Sequence, residues 1–283
     1  MGDNSRIWTI GEGKILGPKD CLIMGILNVT PDSFYDGGKF FPLDSAISHG
    51  EELLKEGADI IDIGGESTRP FSERVGLEEE LKRVIPVVKG LKGKYSDVII
   101  SVDTYKAKVA EESIKEGALI INDVSACRFD PELLDVLVEF KPGYVLMHSL
   151  GRPEDMQKSP HYDDVIEELL NFFDYHLNIL IKSGLPEENI VIDPGIGFGK
   201  LLEHNLTILR EIKRFYVFGR PVLVGLSNKS MWEKMFGLGR EDRKTVTQVS
   251  TALLLERGVL IHRVHEVLAT RQTAAIVNAF LGR

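Results

Sequence analysis

The pattern that most limits the fold of this chain is a join it makes repeatedly. A run ending in basic and acidic residues meets a glycine and passes at once into an apolar run rich in β-branched residues. Lys55-Glu56-Gly57-Ala58 leads into Ile60 to Ile63, Lys115-Glu116-Gly117-Ala118 into Leu119 to Ile121, and Glu256-Arg257-Gly258 into Val259 to Ile261. A glycine suits the left-handed residue that closes a helix, and basic side chains complement the negative end of its dipole. Each join therefore reads as helix, stop, strand. Eight such strand candidates occur, at 22–28, 60–64, 98–103, 119–123, 144–148, 190–193, 221–227 and 259–265, with helix-length segments between them. Near-continuous apolar strands alternating with helices imply a parallel sheet covered on its outer face, and eight of them imply closure into a (β/α)8 TIM barrel. An open doubly wound sheet is the alternative. Ahead of the first strand, Ile7 to Ile10 and Lys14 to Leu16 flank Gly11-Glu12-Gly13, a pattern that predicts a short β-hairpin within residues 1–17 able to plug the barrel's N-terminal end.

No Ser/Gly/Pro-rich linker divides the sequence, and 283 residues suit one barrel, so residues 1–283 are expected to form a single domain. The net charge of −9 argues against a nucleic-acid partner, which would need clustered Lys and Arg. No run approaches the roughly 20 apolar residues that span a bilayer. Cys21 and Cys127 are too few for a disulfide framework and match no metal spacing, which suggests core thiols in a reducing, cytoplasmic setting.

Polar residues gather where the strands end, which in such a barrel is the mouth. They are Asn28, the segment Gly64 to Arg69, Asp103, Asn122-Asp123, His148, Asp193, Ser227 to Ser230, and Arg263 with His265. A helix N-cap explains any one Asp, Asn or Ser. It does not explain Lys229, Arg263 or His148, and those three weigh most toward a site. In a regular strand Arg263 and His265 share a face, whereas His262 and His265 do not and cannot chelate one metal together. The Arg263/His265 face suits phosphate, with a structural ion pair of Arg263 inside the barrel as the competing reading. Asp193 to Lys200 fails the dinucleotide and Walker A spacings because of Lys200, Pro194 and Leu201. Gly225 to Lys229 lacks the last glycine of a nucleophile elbow. Glu78-Glu79-Glu80 is expected to form a solvated helix start.

Taken together these segments resemble one family, the dihydropteroate synthases, from about Ile23 to the C-terminus. Met24 to Phe34 (MGILNVTPDSF) is similar to the family's first loop and Gly64 to Pro70 (GGESTRP) to its second. Ser101-Val102-Asp103-Thr104, Ile121-Asn122-Asp123-Val124, Met147-His148, Asp193 to Lys200, Ser227-Asn228-Lys229-Ser230 and Arg263-Val264-His265 follow in order. The resemblance implies a barrel enzyme, a homodimer, that condenses 6-hydroxymethyl-7,8-dihydropterin pyrophosphate with 4-aminobenzoate, releasing pyrophosphate and 7,8-dihydropteroate for folate synthesis. It implies that Asp193, Asp103 and Asn122 take the pterin ring edge, that Lys229 donates to it, and that Met147 and Phe198 wall it. Lys229, Asp103 and Asp193 would be the catalytic set. It assigns pyrophosphate to Arg263, His265 and Asn28, with Asn28 also near a Mg2+ ion, has Thr68 and Arg69 reach the same phosphates or order the second loop, and gives the aminobenzoate carboxylate to Ser230 with a helix N-terminus.

Two positions depart from the family pattern. Asn228 stands where Arg is common, and Tyr35 where a small residue is usual. A methyltransferase domain working with a corrinoid partner would share the Asp and Asn pterin contacts but lacks the NVTPDSF loop. A pterin-binding paralogue without condensation activity is the second rival, kept open by Asn228.

Overall fold

A computed structural model describes residues 6–29, 42–67, 72–239 and 242–283. The hairpin is present as β1 (Trp8–Thr9) and β2 (Ile15–Leu16), antiparallel and joined through a 3-10 turn at Gly11–Gly13. Strand and helix then alternate: β3 (Leu22–Asn28), α1 (Pro42–Lys55), β4 (Ile60–Gly64), α2 (Leu77–Lys94), β5 (Ile100–Asp103), α3 (Ala107–Lys115), β6 (Ile120–Asp123) and α4 (Leu133–Phe140). The second half runs β7 (Gly143–Met147), α5 (Val165–Ser183), β8 (Ile190–Asp193), α6 (Leu202–Arg210), β9 (Leu223–Val224), α7 (Met231–Phe236), α8 (Arg243–Glu256), β10 (Ile261–Val264) and α9 (Val267–Leu281). At the three joins that define the repeat, Gly57, Gly117 and Gly258 have φ of 97°, 102° and 92°, a region that costs any side-chain-bearing residue strain.

The eight parallel strands pair in the order β8-β7-β6-β5-β4-β3-β10-β9. The ring closes where Ile192 N–H donates to the Pro221 carbonyl at 3.1 Å, with Ile192 bridging Val222. The chain is thus a closed barrel, and the open sheet is excluded. Ladder pairing is shorter than the apolar runs at both ends of the last strands. The run 221–227 contributes the strand Leu223–Val224 and the single bridge at Val222, and 259–265 contributes 261–264.

Alternation along the strands sends side chains to two different interiors. Ile23, Leu27, Ile61, Ile63, Val102 and Leu146 point outward into the layer beneath the helices. Leu22, Met24, Ile60, Val145, Val191 and Ile261 fill the lower barrel, together with Trp8 and Ile10 of the hairpin. Trp8 is fully buried, its indole N–H donates to the Asn189 carbonyl at 2.7 Å, and Gly11 N–H donates to the Leu119 carbonyl at 3.0 Å. The hairpin does plug the N-terminal end. One expected surface group is not on the surface: Glu78 and Glu79 are exposed, but Glu80 is buried. It accepts from Thr104 Oγ1 at 2.7 Å and pairs with Lys106, because one helical turn carries it round to the barrel side of α2.

Because Trp8 seals the floor, Trp8→Ala should cost about 3–5 kcal/mol in urea unfolding. A loss below about 1 kcal/mol would show that the hairpin is only laid against the barrel.

Candidate active site

Above the apolar floor, the interior of the barrel turns polar. Asn28, Gly64, Asp103 and Asn122 occupy one row of register across β3, β4, β5 and β6, each the Cα partner of the next. Side chains in such a row point to one face of the sheet, here the inner one. A Cβ added at Gly64 would lie 3.8 Å from Asn28 Oδ1 and 3.9 Å from Asp103 Oδ2, so both polar tips lean over a position that carries no side chain.

Arg263 enters this layer from β10. Its Nε donates to Asp62 Oδ2 at 2.6 Å and its Nη2 to Asp103 Oδ2 at 2.7 Å. Asn122 Nδ2 donates to the same Asp62 oxygen at 3.1 Å. The ion pair that competed with the phosphate reading of Arg263 is therefore formed inside the barrel. Of the guanidinium's five N–H groups, two are used here, leaving three to meet other oxygens. Loss of hydration pushes the Asp103 carboxyl up to about 7 despite the opposing pull of Arg263, and Asp62 adds to the rise.

Asp193 ends β8 and accepts from Gly195 N–H at 2.7 Å. Burial raises it to about 6, against the Gly195 hydrogen bond and the charges of Lys229, Lys200 and Arg263. Lys229 follows β9; its Nζ lies 4.2 Å from the centre of the Phe198 ring, and burial lowers it to about 8, with Asp193 holding it up. Phe198 packs with Met147, Tyr105, Val124 and Phe129 in a small apolar cluster, and Met147 is the Cα partner of Asp193 across β7 and β8. Asn228 has φ of +59°, the left-handed conformation that Asn tolerates better than Arg does. Ser230 is exposed, one residue beyond Lys229.

Two expected residues sit differently. His148 lies past the end of β7 and turns from the barrel interior toward α5, its ring 4.7 Å from that of Phe172. It is buried and held well below the usual histidine range by desolvation and by Lys200. His265 lies past β10, with Nδ1 2.8 Å from Ser227 Oγ, which in turn reaches Glu266 Oε2 at 2.9 Å. It lines a groove of about 340 Å³ with residues of α1 and α9, including His49, Glu52 and Gln272. Thr68 and Arg69, and the first-loop residues 30–41 with Tyr35, lie outside the described residues. Asp123 serves structure: it accepts from Ser125 N, Cys127 N and Tyr144 OH. Cys21 is buried and its thiol pushed up to about 12, while half-buried Cys127 is pushed up by burial and by Asp123, so the surroundings of both disfavour the thiolate.

Sequence reasoning passed over two members. Asp62 lies inside the apolar run Ile60-Ile61-Asp62-Ile63-Gly64, where strict alternation places it on the same face as Gly64. Lys200 stands out in the sequence only as the residue that breaks the dinucleotide spacing. Its Nζ is buried among the carbonyls of Gly195, Phe198 and His148 at 3.0, 3.2 and 3.3 Å, with His148 Nδ1 at 2.9 Å. Burial lowers it to about 7. It ties the loop that carries Phe198 to the end of β7.

The family model for pterin binding enzymes matches residues 24–265. The dihydropteroate synthase of Bacillus subtilis is 43% identical over 262 residues, covering 93% of this chain and 89% of that protein. The chain belongs to the dihydropteroate synthase family. Its fold superposes on the Xanthomonas albilineans dihydropteroate synthase with 4-aminobenzoic acid at a TM-score of 0.91 and 39% identity, covering 99% of each chain. The same enzyme in complex with 7,8-dihydropteroate gives a TM-score of 0.87 and 37% identity, covering 97% of this chain and 99% of that one. With this identity to a dihydropteroate synthase over nearly the whole chain, the corrinoid-linked methyltransferase reading loses its support.

Lys200→Met would strand three carbonyls in the dry rim, so urea unfolding should show a loss of about 2–4 kcal/mol. An unchanged midpoint would mean that water replaces the ammonium freely.

Proposed function

We infer that this protein is a transferase that condenses 6-hydroxymethyl-7,8-dihydropterin pyrophosphate with 4-aminobenzoate, giving 7,8-dihydropteroate and pyrophosphate in folate biosynthesis. The observation that carries this reading is the polar layer itself. Asp103, Asn122 and Asp193 bring acceptors and an amide to the mouth of a family barrel, between a cationic pole at Arg263 and an apolar wall at Met147 and Phe198. A pterin needs such an arrangement, a flat ring between apolar faces with a fixed edge of donors and acceptors.

In this reading Asp193 accepts from the ring amine and amide, Asp103 and Asn122 meet other ring atoms, and Lys229 donates to a ring nitrogen or carbonyl. Arg263 turns its remaining N–H groups to the pyrophosphate, helped by His265 at the outer side. Thr68 and Arg69 join that set on resemblance alone. Ser230, exposed beside Lys229, receives the aminobenzoate carboxylate. Asn28 offers one hard amide oxygen on the same register row as Asp103, which fits Mg2+, an ion that keeps several waters and takes its other ligands from phosphate. Bound there, Mg2+ would neutralise charge on the leaving pyrophosphate.

The chemistry assigned to the chain is electrostatic. As the C–O bond to pyrophosphate breaks, its electron pair leaves on the pyrophosphate oxygen, where Arg263 offsets the negative charge, while Asp103 faces the positive charge spreading over the methylene and the ring. The aryl amine nitrogen then forms the C–N bond with its lone pair, and its proton passes to solvent or to the released pyrophosphate. Met147 and Phe198 keep water from competing for the methylene.

We further propose a homodimer formed through α8 and α9. These helices pack together and carry exposed apolar rows, Val249 and Leu253 on one, Ile276 and Phe280 on the other, with Phe280 89% exposed. Sedimentation at twice the 31.6 kDa chain mass is the expected result. A cytoplasmic location is part of this proposal; among the described residues no helix is long and apolar enough to cross a membrane.

Purified protein given Mg2+, the pterin pyrophosphate and labelled aminobenzoate should form labelled pteroate. Lys229→Ala should abolish turnover with an unaltered circular dichroism spectrum, and normal turnover would remove Lys229 from the site. The raised carboxyls add a pH signature. A ligand that needs Asp193 ionised must displace its proton below about pH 6, so binding of a pterin without pyrophosphate should weaken by about tenfold per pH unit there. Affinity independent of pH from 4 to 8 would exclude Asp193 as the acceptor.

A further inference from the structure

Asp62 is fully buried in the middle of β4, and the reaction described above gives it no role. Its Oδ2 nevertheless receives two hydrogen bonds from the two halves of the proposed site: Arg263 Nε at 2.6 Å, on the phosphate side, and Asn122 Nδ2 at 3.1 Å, on the ring side. Its Oδ1 has no hydrogen-bond partner among the described residues.

For Arg263 the consequence is geometric. The guanidinium is planar, and anchoring it at Nε to Asp62 and at Nη2 to Asp103 fixes that plane across the barrel. For Asn122 the consequence is chemical. The two ends of a carboxamide are nearly identical in shape, but one donates and the other accepts. The carboxylate oxygen facing it can only accept, so only the NH2 end of Asn122 can turn toward Asp62. The Oδ1 of Asn122, which takes no hydrogen bond from any described residue, is then the end left for a ligand.

We propose that Asp62 is a positioning residue that sets the polarity of the ring pocket: it makes Asn122 an acceptor, so the ligand atom facing Asn122 must carry a proton, and it holds Arg263 in plane for the phosphates. This rests on the pterin reading of the same site. A heterocycle presenting a bare ring nitrogen at that point would meet a carbonyl oxygen and be rejected, whereas an N–H would be bound. The selection costs the site no flexible side chain, because the two strands hold both partners.

The test is Asp62→Asn, which replaces a pure acceptor with a group that offers both ends, so that Asn122 is free to turn over. Binding of 6-hydroxymethyl-7,8-dihydropterin, which has no pyrophosphate for Arg263 to hold, should weaken by about tenfold or more. The KM for 4-aminobenzoate should stay within about twofold, a split that general loosening of the fold would not give. The effect must also pass through Asn122: in an Asn122→Ala background, Asp62→Asn should add much less than it does alone. Losses that multiply in the double variant, or an Asp62→Asn protein that binds pterin normally, would overturn the inference while leaving the pterin reading intact. An Asn122→Ala protein with undiminished pterin affinity would instead sink the reading and this inference with it. Should Asp62→Asn fail to fold, the ligand-free wild type decides the matter by NMR. The side-chain NH2 of Asn122, assigned by its disappearance in Asn122→Ala, should show a proton protected from solvent exchange, and exchange as fast as for an exposed Asn would contradict the proposal.

Discussion

A guanidinium held between two carboxylates inside the barrel is the constraint on which the rest of the upper interior depends. Arg263 reaches from β10 to Asp62 on β4 and Asp103 on β5, crossing the interior and the intervening strand β3. Removing three charges from water is expensive, and a pair so buried gains little net stability even when its geometry is good. A barrel that needed only to be stable would fill this layer with aliphatic side chains, as the layer beneath it does. The polar layer is therefore a sign of use, set above a floor that Trp8 and Ile10 close from the other end.

The same burial tunes the groups it holds. Asp103 and Asp193 are raised to about 7 and 6, and Lys229 and Lys200 lowered to about 8 and 7. Acids and bases whose ranges have been drawn together near neutrality are ready to exchange hydrogen bonds with a neutral heterocycle at little cost. Positioning falls to other residues. Lys200 fastens the loop carrying Phe198 by three carbonyls, and Lys106 joins Glu66 and Glu80, tying the end of β4 and α2 to the start of α3. Asn228, in a left-handed turn, shows why its position suits Asn locally whatever charge is lost there.

Much of this was legible in the sequence, for reasons that differ by residue. The glycines at 57, 117 and 258 announced helix ends because few other residues adopt that backbone, and the apolar runs after them announced strands. Asn28, Asp103, Asn122 and Asp193 were legible because a barrel puts strand ends in one place. Asp62 was not read, although alternation from Gly64 points to it, since a charge inside an apolar run looks like an interruption. His148 misled for the opposite reason: being a histidine at a strand end, it drew attention, but it follows inward-facing Met147 and so turns out toward Phe172. Glu80 was hidden by its acidic neighbours, and Lys200 by the glycines before it. Partners such as these are fixed by packing between distant segments, which spacing along one segment does not record.

The most direct test of the account is a diffraction structure of the protein crystallised with 7,8-dihydropteroate. The ring should lie against Met147 and Phe198, its edge within hydrogen-bonding distance of Asp193, Asn122 and Asp103, with Arg263 still joined to Asp62. A ligand bound in the outer groove beside His265 and α9, with the polar layer untouched, would contradict it.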